Sequence, residues 1–174
     1  MISAMIASVI LVAITLLVHY EALRITSDWL PRLRMPPRWR IVFVVFAAFA
    51  AHTVEVWVYA VAYYIFVDML HLGRFAGEGD PGLFDLVYFS VVTYTSLGYG
   101  DILPLGQVRL IAGVESLAGL LMIGWSASFT YLAMEKFWPL HVRSGRHGHA
   151  GHGHAADHRD GSLPREQPQS GSSG

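Results

Sequence analysis

Cysteine is absent from the 174 residues, so neither a disulfide framework nor a zinc–thiolate site can be built, and the redox compartment goes unread. Charge is also scarce. Asp, Glu, Lys and Arg make up 14% of the chain, against about 25% in an ordinary soluble domain. The formal net charge of −1 leaves no basic footprint for nucleic acid. The opening MISAMIASVILVAITLLVHY has no basic n-region and no A-x-A-like cleavage site after it, so it reads as a retained helix rather than a signal peptide. No nucleophile accompanies the carboxylates in the apolar segments, and no enzyme is expected.

What the chain has in quantity is hydrophobic residues, 53% of the total. A bilayer-spanning helix takes roughly 20 predominantly apolar residues. Three runs meet that length: Met1 to about Tyr20, Ile41 to about Val67, and about Val108 to Leu132. A fourth apolar run, Leu83 to Ser96, is too short to span and suits a re-entrant helix.

The loops carry a charge asymmetry. Arg24, Arg32, Arg34, Arg38 and Arg40 follow the first run, while Asp68, Glu78 and Asp80 against Arg74 follow the second, and Lys136, Arg143 and Arg146 follow the third. Basic loops stay cytoplasmic. The expected topology therefore has the N-terminus outside, the arginine loop inside, the acidic segment outside and the C-terminus inside. A voltage-sensing helix would also be arginine-rich, but Pro31, Pro36 and Pro37 interrupt this stretch, and it reads as a topology-setting loop.

Between the short run and the third span lies TYTSLGYGDILP, Thr93 to Pro104. Non-helical backbone at membrane depth must be buried in protein or line a wet path. Gly98 and Gly100 invite left-handed backbone angles. If Ser96 to Gly100 alternate between right- and left-handed regions, their carbonyls point one way. One chain then gives one oxygen per layer, and rings of oxygens around a four-fold axis can dehydrate potassium. The Ser96 hydroxyl is expected to complete the innermost ring, Leu97 to turn away into packing, and the C-terminal end of the preceding helix to favour a cation.

FDLVYFSVVTYTSLGYGDILP resembles the pore helix and selectivity filter of potassium channels, whose TVGYG filter is an established case of carbonyl-ring selectivity. Here Ser replaces Thr and Leu replaces Val, which bears on conductance and fine selectivity. RLIAGVESLAGLLMIGWSASF is similar to the pore-lining inner helix, with Gly119 near the usual hinge position. The chain as a whole is similar to small bacterial channels of the two-helix pore type with one extra N-terminal helix.

The resemblance implies an all-α membrane protein with three transmembrane helices, a re-entrant pore helix and a filter loop, assembled as a four-fold homotetramer in a bacterial inner membrane. It implies a transmembrane helix at 1–22, a basic cytoplasmic loop at 23–40, a pore domain at 41–140 and a disordered histidine-rich tail at 141–174. Within the pore domain the outer helix covers 41–67, the pore helix 84–95, the filter 96–101 and the inner helix 107–136. Potassium is the expected permeant ion and no cofactor is expected. Its contacts would come from Thr95, Ser96, Leu97, Gly98, Tyr99, Gly100 and Asp101.

Three further features stand out. His52, Glu55 and Glu115 are ionisable groups inside apolar runs, where such groups face a partner or a wet cavity. At about 1.5 Å per residue, Glu55 and Glu115 come to nearly one depth in a core roughly 30 Å thick. His52 and Glu55 share a helix face, so a polar cluster behind the pore helix is expected. Gly119 reads equally as a gating hinge or, with Gly113 and Gly124, as a concession to close packing. Trp57, Tyr59, Tyr63, Tyr64 and Phe66 read as interface anchors. In the tail, His147, His149, His152, His154 and His158 form a tract of the metal-binding kind or a solvated tail without a role. Two other functions fit the same residues: a weakly selective cation channel, and a metal-responsive or metal-transporting membrane protein built on this tract with His52, Glu55 and Glu115.

Overall fold

The computed structural model describes residues 2–77 and 81–137. Within them, α1 is Ile2–Trp29, α2 is Pro37–Tyr64, α3 is Leu83–Tyr94 and α4 is Val108–Phe137. Strands β1, Gly73–Ala76, and β2, Leu103–Gly106, flank α3 in the chain. The histidine tract from His147 to His158 lies outside the described residues. α1, α2 with its extension to Met69, and α4 are each long and apolar enough to cross a membrane, and α3 is the short apolar helix among them. The expected all-helical membrane fold is thus observed.

Two boundaries differ from the sequence reading. The loop expected at 23–40 is helical over most of its length, because α1 continues to Trp29 and α2 begins at Pro37. No glycine or proline interrupts Glu21 to Trp29, and Arg24 bonds Glu21 one turn back at 3.1 Å. Pro31 ends the run, since the residue before a proline is driven out of the helical region. Pro37 opens α2 at the first helical position, where its missing N–H costs nothing. At the other end, α2 passes into one π-helical turn, Ile65–Met69.

The strands were not expected at all. β1 and β2 pair antiparallel, Gly73 opposite Gly106 and Phe75 opposite Pro104. At Gly73 a Cβ would stand 2.9 Å from the Leu105 carbonyl oxygen, so the two strands meet this closely only with glycine there. This short ribbon ties the segment before α3 to the segment after the 96–101 loop.

α1 buries one face, Ala4, Ser8, Leu11, Thr15, His19, Leu23 and Thr26, against α2 and α4. Small and hydroxyl-bearing residues on this stripe let helices approach closely in lipid. The hydroxyls return to their own helix: Ser8 to the Ala4 carbonyl at 2.8 Å and Thr26 to Ala22 at 2.7 Å. α3 sits between α2 and α4. Tyr63, Phe75 and Phe89 pack edge to face with centroids 4.9–5.7 Å apart, a favoured aromatic arrangement.

The anchor reading therefore fails at three of its five residues. Tyr59, Tyr63 and Phe66 are core side chains, because Tyr63 and Phe66 close the space under β1 and Tyr63 carries its hydroxyl to Glu115. Trp57 and Tyr64 remain on the outside.

Candidate functional site

α3 starts with a backbone–side-chain cap. Gly82 donates its N–H to the Asp85 carboxylate at 2.9 Å, and a carboxylate in the first turn also suits the positive end of the helix dipole. The other end unwinds at Thr95 without leaving the helix. Ser96 N–H bonds the Thr93 carbonyl at 2.9 Å, and Leu97 and Gly98 both return to Val92, at 2.9 and 3.3 Å. The first N–H groups of the loop are thereby consumed on α3. Among the described backbone hydrogen bonds, none ends on a carbonyl of residues 95–101.

The backbone angles explain where those carbonyls go. φ is +59° at Ser96, +57° at Gly98 and +81° at Gly100, while Leu97 and Tyr99 between them are not positive. This is the alternation that turns successive carbonyls to one side. Gly98 and Gly100 adopt it freely; Ser96 pays a left-handed penalty that a β-branched residue would feel more. Among the described residues, and apart from the sequence neighbours, no atom lies within 4 Å of a Cβ built on Gly98 or Gly100. Leu97 and Tyr99 are 57% and 67% exposed, so one chain leaves this loop bare.

Thr95 bonds its hydroxyl back to Val91 at 2.8 Å. The Ser96 hydroxyl, expected in the innermost ring, is instead 2.7 Å from the Ser116 hydroxyl of α4. At the outer end, the Asp101 carboxylate lies beside the exposed Tyr88 hydroxyl and pushes that phenol above its ordinary pKa.

Behind α3 the polar groups bond one another, except the buried Tyr59 hydroxyl, which has no hydrogen-bond partner among the described residues. Glu55 bonds His19 Nδ1 at 2.8 Å through one oxygen and the Tyr94 hydroxyl through the other. Tyr94 is 2.9 Å from His52 Nδ1. Ser126 Oγ then bonds both remaining imidazole nitrogens, His52 Nε2 at 3.1 Å and His19 Nε2 at 3.2 Å. The five links close a ring that draws one residue each from α1, α3 and α4 and two from α2. His19, Glu55 and Ser126 are buried, and His52 is the partly exposed member.

The expected cluster is therefore regrouped. His52 and Glu55 do meet, but Glu115 is not hydrogen-bonded to either among the described residues. It takes Tyr63 and Ser90 instead, and Ser90 also reaches the Val56 carbonyl at 3.0 Å. The two carboxylates take different hydrogen-bond partners, Glu55 bonding His19 and Tyr94 and Glu115 bonding Tyr63 and Ser90. His19, Tyr94, Ser126, Ser90 and Tyr63 were missed by sequence reasoning. His19 alone left a signal, falling in the Leu11, Thr15, Leu23 stripe of α1.

Gly119 has a packing role. A Cβ there would fall on the Tyr94 carbonyl oxygen and within 2.8 Å of its carbon. The close approach of α3's last turn to α4 depends on that missing atom, whereas nothing of this chain lies within 4 Å at Gly113 or Gly124.

Compared with known protein families, residues 41–136 match the one described as ion channel. That stretch covers most of α2, all of β1, α3 and β2, and nearly all of α4, more than half of the chain, and leaves α1 outside. No curated protein and no solved structure matches the chain.

Proposed function

This chain belongs to the ion channel family, and on that premise we propose that four copies form a potassium-selective pore in a bacterial inner membrane. The observation that carries the reading is the loop from Ser96 to Gly100, with positive φ at every second residue and no described backbone bond on its carbonyls. Four such loops about one axis would stack those oxygens into rings that replace an ion's hydration shell. One loop cannot close a ring, and a closed point group is the usual solution for identical subunits. Thr95 to Asp101 would then be the filter, with Asp101 and Tyr88 steadying its outer mouth. The charge of the loops supports a topology with the N-terminus outside and the C-terminus in the cytoplasm.

Reversal potentials of the purified protein in planar bilayers, under opposed potassium and sodium gradients, test the reading. A potential following the potassium gradient is expected; one midway between the two gradients overturns potassium selectivity. Native mass spectrometry in detergent should give four chains, and a monomer or dimer under conditions that support flux would refute the assembly.

One observation favours a second reading, a weakly selective cation channel. The Ser96 hydroxyl bonds Ser116 rather than standing free, which takes a donor oxygen from the innermost ring. Ser116→Ala releases that hydroxyl. A sharper preference for potassium in the variant would support the weaker selectivity of the parent.

A further inference from the structure

His19, His52 and Glu55 each offer one ligand atom, and the three lie within 4.8 Å of one another. We propose that they form a binding site for a divalent transition-metal ion of the zinc class, held by both Nδ1 atoms and the Glu55 carboxylate, with the Tyr94 oxygen as fourth donor. The proposal does not depend on which ion the pore conducts.

Spacing is the first argument. Two donors bound at about 2.0–2.1 Å to one tetrahedral ion stand roughly 3.3 Å apart. His19 Nδ1 is 2.8 Å from one Glu55 oxygen and His52 Nδ1 is 3.5 Å from the other, so the observed separations bracket that value. His52 Nδ1 is 2.9 Å from the Tyr94 oxygen, which bonds the same carboxylate. Small rotations of side chains, with no backbone movement, would fit an ion between them.

Hydrogen bookkeeping is the second. Without an ion the ring has five links. Tyr94, Ser126 and the two neutral imidazoles bring one hydrogen each, so one link lacks a hydrogen unless the ring takes up a further proton. With an ion on both Nδ1 atoms, each imidazole carries its hydrogen on Nε2. Both Nε2 atoms face Ser126 Oγ, at 3.1 and 3.2 Å, and a hydroxyl oxygen accepts two hydrogen bonds. The serine thus becomes the outer group that fixes both imidazoles, the role such partners have around zinc.

Charge and access agree. The Glu55 carboxylate supplies one negative charge to offset that of a divalent ion, and the Tyr94 oxygen beside it supplies a polar donor. A cavity of about 430 Å³ opens on this ring and is lined in part by His52, Tyr94 and Ser126. It reaches the one member of the cluster that is not fully enclosed.

The test is a cobalt(II) titration of the full-length protein in detergent. Cobalt in a four-coordinate site absorbs intensely in the visible, whereas ions on solvated tail histidines keep six ligands and absorb weakly. The wild type should develop the intense bands with one equivalent per chain, and zinc should remove them. His19→Gln and His52→Gln should each abolish them. Ser126→Ala should keep the bands and weaken binding by about 10–100-fold. Weak bands only in the wild type, or intense bands unchanged in both histidine variants, would overturn the site. Should the histidine variants fail to fold, anomalous scattering from zinc-soaked wild-type crystals decides: a peak between α1 and α2 upholds the site, and its absence from there refutes it.

Discussion

The loop at 96–101 and the polar groups behind α3 are both unusual inside an apolar bundle, and they are satisfied in opposite ways. Behind α3, hydroxyl, imidazole and carboxylate groups bond one another within a single chain. In the loop, carbonyls find no backbone partner and the side chains of Leu97 and Tyr99 stand exposed. One region takes its partners from within the protomer; the other finds no backbone partner there among the described residues. That contrast is what makes the loop the conducting element of the proposed channel, and the polar groups its support. It also predicts which kind of damage each region suffers: altered ion passage from the loop, lost stability from the support.

The largest effect is expected at Gly100. With φ at +81°, alanine adds about 1–2 kcal/mol of strain per chain, repeated in each subunit of the proposed tetramer. Space within the chain is not the obstacle, since nothing lies within 4 Å. Gly100→Ala should abolish selective potassium flux in bilayer recordings while the protein still folds. A variant as selective as the parent would remove the loop from the conducting path.

Next comes Glu55→Ala. Removing the carboxylate leaves the buried His19 and Tyr94 without their shared acceptor, and each unsatisfied buried group costs about 1–3 kcal/mol. A drop in thermal stability of that size should appear in detergent, with ion preference unchanged in whatever fraction remains folded. Altered selectivity without loss of stability would erase the distinction between support and loop.

The spans and the loop were legible from sequence because each has its own local cause. A bilayer demands a run of apolar residues, and alternation of backbone hand demands glycine at Gly98 and Gly100. The ribbon was not legible: LPLG carries a proline and a glycine in four residues, which argues against a strand, and its pairing with GRFA depends on contacts distant in sequence. The ring was half legible. His52 and Glu55 sit three apart on one helix, but Tyr94 and Ser126 look like any helical hydroxyl. Most such groups here bond their own helix, as Thr53, Ser128 and Thr130 do, and nothing local tells the exceptions apart. The anchor reading of Tyr59 and Tyr63 failed for a related reason: composition at a helix end cannot say which face is covered by a ribbon and a re-entrant helix.

Gly119→Ala should act through the support rather than as a loosened hinge. Its Cβ would meet the Tyr94 carbonyl, backbone that cannot move without shifting the last turn of α3. Overpacking of this kind costs about 1–3 kcal/mol. Gly124→Ala, with open space in the chain, is the reference and should be tolerated. Equal stability of the two variants would return Gly119 to the hinge reading.

The smallest effect is expected at Glu115→Gln, although the group is fully buried. Three contacts meet around it: Tyr63 to Glu115, Ser90 to Glu115, and Ser90 to the Val56 carbonyl. Tyr63 and Ser90 bring one hydrogen each, so the third must come from Glu115 itself, and the group behaves as an acid that donates through one oxygen and accepts through the other. Glutamine has the same shape and the same division of roles, its amide donating to Ser90 and its carbonyl accepting from Tyr63. The substitution should change stability by less than about 1 kcal/mol, whereas Glu115→Ala, which strands both hydroxyls, should cost about 1–3 kcal/mol. Thermal denaturation of the pair in detergent separates the cases. If glutamine proves as damaging as alanine, Glu115 holds a charge that this arrangement of hydrogens does not explain, and its environment differs from that of a neutral, self-contained support.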